Sequence, residues 1–300
     1  MSDLLKKLEN LAEVECDRPL STMTTLRIGG NCKYVIYPNS DVSLDAVIRT
    51  LKEENIPFKL IGKGSNLLCC DKEYNGAVIR LDKFFNNSYI NGTEMVAQAG
   101  CSIIALAVEA MKNGLSGLEF ASGIPGTLGG TVFMNAGAYK ASMSDIVKEV
   151  FVYRDGNLHW IPASECGFAY RTSIFQKHPD WIVLAARLKM EPKDSDIIRD
   201  LMENRRNRRI STQPLEFPSC GSVFRNPEDG MRAWELIDAI GYRGKCVGGA
   251  CVSEKHPNFI VNIGGATAKD YMQLVEEIRG KVLDKYGILL HTEMERFNCD

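Results

Sequence analysis

Apolar positions recur along the chain in two periods, and the switching between them lays out most of the elements. Leu4, Leu5, Leu8 and Leu11 repeat at helical spacing, which predicts a short amphipathic helix over residues 3–13. Leu44, Val47, Ile48 and Leu51 mark one face of a second helix over 41–54. A third is expected over 102–113, with Gly114 standing where a left-handed glycine ends a helix. Residues 193–209 read as a helix ending in Arg205-Arg206-Asn207-Arg208-Arg209. Residues 231–240 read as another, closed by Gly241. The last helix, 267–286, opens on a loose Thr267/Asp270 capping box and stops at Gly287. Between the helices lie short strand-like runs: 25–28 and 33–37 about a Gly29-Gly30 turn, then 58–61, 77–81, 95–98, 147–153, 157–161, 181–190 and 259–263. Asp155-Gly156 is a two-residue hairpin turn, and Pro214 and Pro218 mark a linker. There is no internal repeat.

One stretch breaks both periods. From Gly114 to Gly137 the chain reads GLSGLEFASGIPGTLGGTVFMNAG. Glycine at this density costs backbone entropy, so a plain helix or strand is not expected there. Leu115, Leu118, Phe120, Ile124, Leu128, Val132 and Phe133 interleave with the glycines, so the run is no linker. It is either a tight crossing of loops or a loop wrapped around a phosphate-bearing cofactor, whose oxygens bare N–H groups can cradle. Gly62-Lys63-Gly64-Ser65-Asn66 follows the 58–61 run directly, as a phosphate-binding turn should. It is neither G-x-G-x-x-G nor a P-loop, and alone it is weak. Together the two loops suggest a dinucleotide held from two sides.

Composition narrows the classes. Three hundred residues allow two or three domains, and the net charge of −2 sets up no basic field for nucleic acid. No apolar run reaches the roughly 18 residues of a membrane span, and the charged N-terminus lacks a signal-peptide core. Ten cysteines are scattered without C-x-x-C or paired metal-ligand spacing, so reduced, mostly buried thiols in a cytoplasmic protein are expected, with no metal site.

The remaining candidates each carry two readings. Arg171, in Tyr170-Arg171-Thr172-Ser173-Ile174-Phe175, is either a structural arginine capping carbonyls or a guanidinium for a carboxylate or developing enolate. Ser219-Cys220-Gly221-Ser222 sets hydroxyls and a thiol about a glycine. None of the four histidines stands in a nucleophile-elbow context, so a serine hydrolase is disfavoured. The Arg205–Arg209 cluster either complements a helix dipole or binds phosphate. Glu293, near the C-terminus, reads by itself as a solvated carboxylate.

TLRIGG (25–30), GKGSNLL (62–68), GLSGLEFASGIPGTLGG…MNAGAY (114–139), YRTSIF (170–175), QPLEFPSCGSVFRNP (213–227) and GGACVSEKHPNFIVNIGGATAKD (248–270) occur in this order. So ordered, the set resembles the UDP-N-acetylenolpyruvoylglucosamine reductase family, in its shorter subtype. The resemblance implies an α+β fold: a two-part FAD-binding domain of the vanillyl-alcohol-oxidase type over 1–80 and 81–209, then an α+β substrate-binding domain over 210–300. It implies non-covalent FAD, NADPH as hydride donor, a nucleotide-sugar substrate and a monomer. FAD would be held by Gly62, Lys63, Gly64, Ser65, Asn66 and Leu67, by Ser122, Gly123, Ile124, Pro125, Gly126, Gly129 and Gly130, and by Asn135, Ala136 and Gly137. Arg171 would be the catalytic arginine, Ser222 the proton donor and Glu293 the catalytic glutamate, with Tyr170, Arg225 and Asn226 on the substrate.

The implied reaction delivers hydride from flavin N5 to the enolpyruvyl β-carbon and a proton from Ser222 to the α-carbon. It belongs to the synthesis of a peptidoglycan precursor. Thr212, Arg225, Thr292 and Glu295 depart from the family's usual lysine, lysine, proline and arginine. Two other readings compete: a flavin oxidoreductase of the same fold acting on a small alcohol, and a nucleotide-sugar-binding protein without catalysis.

Overall fold

The computed structural model describes residues 3–154, 156–228 and 230–299. Along the chain run α1 (Asp3–Glu9), β1 (Glu13–Pro19), β2 (Asn31–Tyr37), α2 (Asp41–Glu53), β3 (Phe58–Leu60), β4 (Leu67–Cys69), β5 (Tyr74–Ile79), β6 (Ser88–Asn91), β7 (Glu94–Gln98) and α3 (Ile103–Lys112). Then come β8 (Leu115–Ser116), α4 (Leu128–Phe133), β9 (Gly137–Ala138), β10 (Ala141–Ser142), β11 (Val147–Arg154), β12 (Asn157–Pro162), β13 (Ile182–Lys189), β14 (Glu191–Pro192) and α5 (Ser195–Thr212). The chain closes with α6 (Ala233–Ala239), β15 (Cys246–Val247), β16 (Ala250–Val252), β17 (Ile260–Asn262), α7 (Ala268–Tyr286) and β18 (Glu295–Phe297). This is the expected mixture of helices and largely antiparallel sheet. It divides into two compact units, Met1–Cys16 with Tyr34–Lys63 and Asn75–Asn207, and Asp17–Lys33 with Gly64–Tyr74 and Arg208–Asp300.

The first unit holds a four-stranded sheet, order β1-β2-β5-β3, and a five-stranded sheet, order β12-β11-β13-β7-β6. The apolar face of α2 is buried as its spacing requires, with Leu44, Val47 and Leu51 wholly inaccessible, and Ser40 caps its first turn by accepting from Ser43 N. Ser102 caps α3 in the same way, and Gly114 follows the C-cap at φ 65°. Asp155 of the expected hairpin turn lies outside the described residues. The glycine-rich run corrects one expectation: it contains a helix, α4, built on Leu-Gly-Gly-Thr-Val-Phe. Packing overrides propensity there, because a Cβ on Gly129 would come 2.9 Å from the Ala99 Cβ, so only glycine lets the turn approach so closely.

The second unit packs Leu26, Ile28 and Leu68 with Val223, Phe224, Leu236, Ile260, Tyr271, Val275 and Leu290. Its longest element, α7, begins on the Thr267/Asp270 capping box and ends at Gly287 in the left-handed region, both as expected. Residues 25–28 are not a strand. Arg27 sits at φ 57°, Thr25 donates its hydroxyl to Ser219 O, and Asn262 Nδ2 donates to Leu26 O, so the segment's polar groups are met outside any ladder. The expectation of uniformly reduced thiols also needs correction. Cys70–Cys299 and Cys246–Cys251 are disulfide-bonded, with Cα–Cα distances of 5.1 and 4.1 Å. Strand pairing brings each together: β4 runs parallel to β18, and Cys246 lies opposite Cys251 in β15–β16. Of the other six, only Cys16 is exposed.

Candidate functional site

In the first unit the two glycine loops meet. A Cβ on Gly62 would stand 2.5 Å from Thr127 Oγ1, so the turn after β3 runs against the residue that caps α4. Gly126 and Gly130 differ from Gly129: a Cβ on either finds no protein atom nearer than 3.4 Å. The N–H groups of Gly62, Lys63, Ser122 and Gly123, all in this unit, donate to no acceptor among the described residues. Backbone donors without partners beside side-chain-free positions fit the phosphates of a dinucleotide. Lys63 adds an ammonium 3.7 Å from Asp82.

Glu119 shapes the entry to this loop. Burial opposes its ionisation, but the Ser116 hydroxyl at 2.6 Å and Gly117 N–H at 2.8 Å hold the carboxyl below its ordinary range. Its carbonyl accepts from the Ser122 hydroxyl. Asn135 is buried and its amide is committed: Nδ2 donates to Ala169 O, and Oδ1 accepts from Ser144 N. It therefore fastens the Ala136-Gly137 segment to the loop that carries Arg171. Arg171 stands at φ 54°, its guanidinium donates to Gly137 O at 2.8 Å and lies 5.1 Å from the ring of the exposed Tyr170. Gln176 Nε2 donates to Arg171 O and fixes the turn. A non-glycine residue held in the left-handed region is stored strain of a kind that clusters at functional positions.

In the second unit Ser222 and Glu293 arrive on paired segments. Glu293 N donates to Val223 O at 2.8 Å, and Arg225 N donates to His291 O at 2.9 Å. Across the other edge, Asn258 brackets the same peptide: Phe224 N donates to its Oδ1, and its Nδ2 donates to Phe224 O. Asn66 reaches Glu293 from the phosphate turn, Nδ2 donating to Glu293 O at 3.0 Å, while Glu295 N donates to Asn66 O. Leu67, the next residue, is buried in β4. Arg225 Nε is buried and has no hydrogen-bond partner among the described residues. Asn226 Oδ1 accepts from Ala233 N and so caps α6. Cys220 is buried against the Tyr271 hydroxyl at 3.2 Å, and burial pushes its thiol up to about 11.

Arg171 thus belongs to the first unit, and Ser222 and Glu293 to the second. Sequence reasoning missed Asn258, Gln176 and the clamping role of Asn66. The one available signal was an asparagine at each end of the apolar run Phe-Ile-Val, 258–262, where a buried amide needs a partner. Among the described residues no cluster of histidine, cysteine and carboxylate side chains could hold a metal, and no helix is long and apolar enough to cross a membrane.

Residues 32–161 match the family described as FAD binding domain, and residues 213–297 that described as UDP-N-acetylenolpyruvoylglucosamine reductase, C-terminal domain. The UDP-N-acetylenolpyruvoylglucosamine reductase of Anoxybacillus flavithermus is 42% identical over 95% of each chain. That of Bacillus subtilis is 39% identical over 96% of this chain and 95% of its own. The crystal structure of the Thermus caldophilus reductase superposes with a TM-score of 0.80 at 35% identity, covering 95% of this chain and 98% of that one. With such identity over nearly its whole length, the chain belongs to the UDP-N-acetylenolpyruvoylglucosamine reductase family.

Proposed function

We propose that the chain reduces the enolpyruvyl ether of UDP-N-acetylenolpyruvoylglucosamine to UDP-N-acetylmuramate, a peptidoglycan precursor, with non-covalent FAD and NADPH. The observation that carries this reading is the direct pairing of the Ser222 and Glu293 segments through Glu293 N and Val223 O. Bound FAD supplies the hydride chemistry, replenished from NADPH. The free donors at 62–63 and 122–123, with the open Gly126 and Gly130, would hold its phosphates, and Asn135 fixes Ala136 and Gly137 in the same unit.

The chain's own residues handle charge and the proton. The enolpyruvyl double bond is conjugated to a carboxylate, so hydride addition at the β-carbon builds negative charge on that carboxylate. Arg171, already oriented by Gly137 O, meets the charge with hydrogen bonds that strengthen as it develops. Glu293 faces the same charge as a hydrogen-bonded partner of the reacting group. Ser222 delivers its hydroxyl proton to the α-carbon, a transfer open to a weak acid because the acceptor is a strongly basic carbanion. Tyr170 and Arg225 hold the substrate. The unpartnered Arg225 Nε suits a phosphate oxygen, and the arginine keeps the positive charge of the family's usual lysine. Asn226 supports that strand from its place at the head of α6.

The reading includes the division into 1–80, 81–209 and 210–300, a cytoplasmic location, where NADPH and nucleotide sugars are found, and a monomeric state. The decisive experiment is one assay on purified protein. FAD should be released intact by acid, and under anaerobic conditions NADPH should be oxidised beyond the one equivalent that reduces the flavin only when the enolpyruvyl sugar is present. A colourless protein, or oxidation of a small alcohol in place of reduction of the sugar, overturns the reading.

A further inference from the structure

We infer that Asn66 is a positioning residue for Glu293: it carries the geometry of the phosphate turn directly into the placement of the catalytic carboxylate. The inference rests on the reading of Glu293 given above. Three observations support it. Asn66 Nδ2 donates to the carbonyl of Glu293 itself, and Asn66 O accepts from Glu295 N, so both amide ends of the 293–295 segment are fixed by one residue. The next three residues continue the hold, with Leu67, Leu68 and Cys69 paired in parallel register with Glu295, Arg296 and Phe297. Two residues upstream, Gly64 stands at φ 60°, and a Cβ there would come 2.4 Å from Met23 O, so the turn has no room to relax around a displaced Asn66.

Chemistry makes the asparagine specific. Its side chain must donate to a carbonyl, which neither aspartate nor leucine of similar size does at neutral pH. A turn that offered its side-chain amide only to a cofactor would remove the hydrogen bond on the Glu293 carbonyl itself. The Asn66 side chain is engaged within the chain through its bond to Glu293 O, while the neighbouring N–H groups of Gly64 and Ser65 have no acceptor among the described residues.

The test compares Asn66→Ala, Asn66→Asp, Glu293→Gln and the double variant Asn66→Ala/Glu293→Gln as flavin-loaded proteins. Stopped-flow absorbance separates bleaching by NADPH from reoxidation by the enolpyruvyl sugar. Hydrogen exchange of the peptide spanning 290–297 reports the clamp without reference to activity. Expected are retained flavin, faster exchange in that peptide, and reoxidation slowed by about ten- to a hundredfold, the scale of a displacement near 1 Å. The double variant should reoxidise no more slowly than Glu293→Gln, since the two residues act as one unit. Loss of flavin from both Asn66 variants overturns the inference, because the side chain then serves the cofactor. So do wild-type reoxidation in the Asn66 variants and full additivity with Glu293→Gln. If Asn66→Ala does not fold, Asn66→Asp, which keeps the volume, is read by the same criteria. A Glu293→Gln protein that reoxidises normally refutes the role of Glu293 instead, a result distinct from all of these.

Discussion

The two units hold their functional residues by different means. The first exposes bare backbone: N–H groups at 62–63 and 122–123 that no acceptor among the described residues takes, beside glycines with room for a side chain they lack. The second does the reverse. The Phe224 N–H and C=O, two residues from Ser222, are bracketed by the side-chain amide of Asn258, and the Glu293 carbonyl accepts from that of Asn66. A loop that must fit many phosphate oxygens is served by donors fixed in the main chain. In the proposed reaction a proton must reach one carbon, and the segments assigned to that step are served by long-range clamps. The difference teaches where each region is fragile: the first to added bulk, the second to loss of a single amide.

Ser222→Ala is the sharpest way to break that account. It removes one hydroxyl without touching either clamp, so bleaching by NADPH should stay near normal while reoxidation by the sugar slows by at least roughly a hundredfold. Cys220→Ala is the control. Its buried thiol faces Tyr271, and its loss should change the rate little. Wild-type reoxidation in Ser222→Ala, with the thiol variant slow, reassigns the proton donor.

Bulk separates two kinds of glycine within the first unit. Gly126→Val meets no backbone in its own chain, so it should fold and lose FAD, read as absorbance at fixed protein concentration. Gly129→Val drives a side chain into Ala99 and should cost about 1–3 kcal/mol of stability by denaturant titration, with flavin loss following from that. If Gly126→Val stays fully flavinylated, the open glycines are not the cradle.

Asn258→Ala tests the clamp on the other side. It strips partners from both Phe224 N and Phe224 O in a buried setting, which should cost about 2–3 kcal/mol and slow reoxidation more than bleaching. Equal slowing of both half-reactions points to a general loss of structure.

The smallest expected effect is a pH dependence. His256 Nδ1 accepts from Asn258 N, and burial, helped by the charge of Arg243, holds the imidazole below its ordinary 6.5. The folded state therefore binds the proton less readily than the unfolded one. This part of the stability is fully present above about pH 6.5 and is lost as the pH falls toward the folded value. The drop in Tm between pH 8 and pH 5.5, taken here as roughly bracketing the ordinary histidine value, should shrink in His256→Gln. An unchanged drop assigns the acid sensitivity elsewhere.

Local rules made part of this legible. The spacing in α2 and α3, the Thr267/Asp270 box, Gly114 and Gly287 are decided within a few residues, and the two glycine loops announce themselves by composition. Pairing of the 223–225 segment with 291–293 does not, since the partners lie far apart in the chain and each looks ordinary. Asn66 reaches Glu293 across 227 positions and Asn262 reaches Leu26 across 236, distances over which side-chain type says nothing about partner. Residues 25–28 carry strand-like composition, yet their hydrogen bonds go to Ser219 and Asn262. The α4 helix was hidden because glycine propensity argues against it, and only the contact with Ala99 explains the choice. The disulfides were hidden by register: Cys70 and Cys299 are 229 positions apart until β4 and β18 align them.

The interleaved make-up of the second unit sets a schedule on synthesis. Leu26, Ile28 and Leu68 leave the ribosome early, but most of the residues that bury them lie beyond Arg208, and the strand that pairs with β4 is β18, at Glu295–Phe297. At about 5–20 residues per second the early segments wait on the order of ten seconds or more for their partners. The first unit has its last segment in hand by Asn207 and is free to fold ahead. During that interval the nascent chain presents Leu26, Ile28 and Leu68 without most of their packing partners, and β4 without its pairing strand. A chain truncated before Glu295 lacks the strand that pairs with β4.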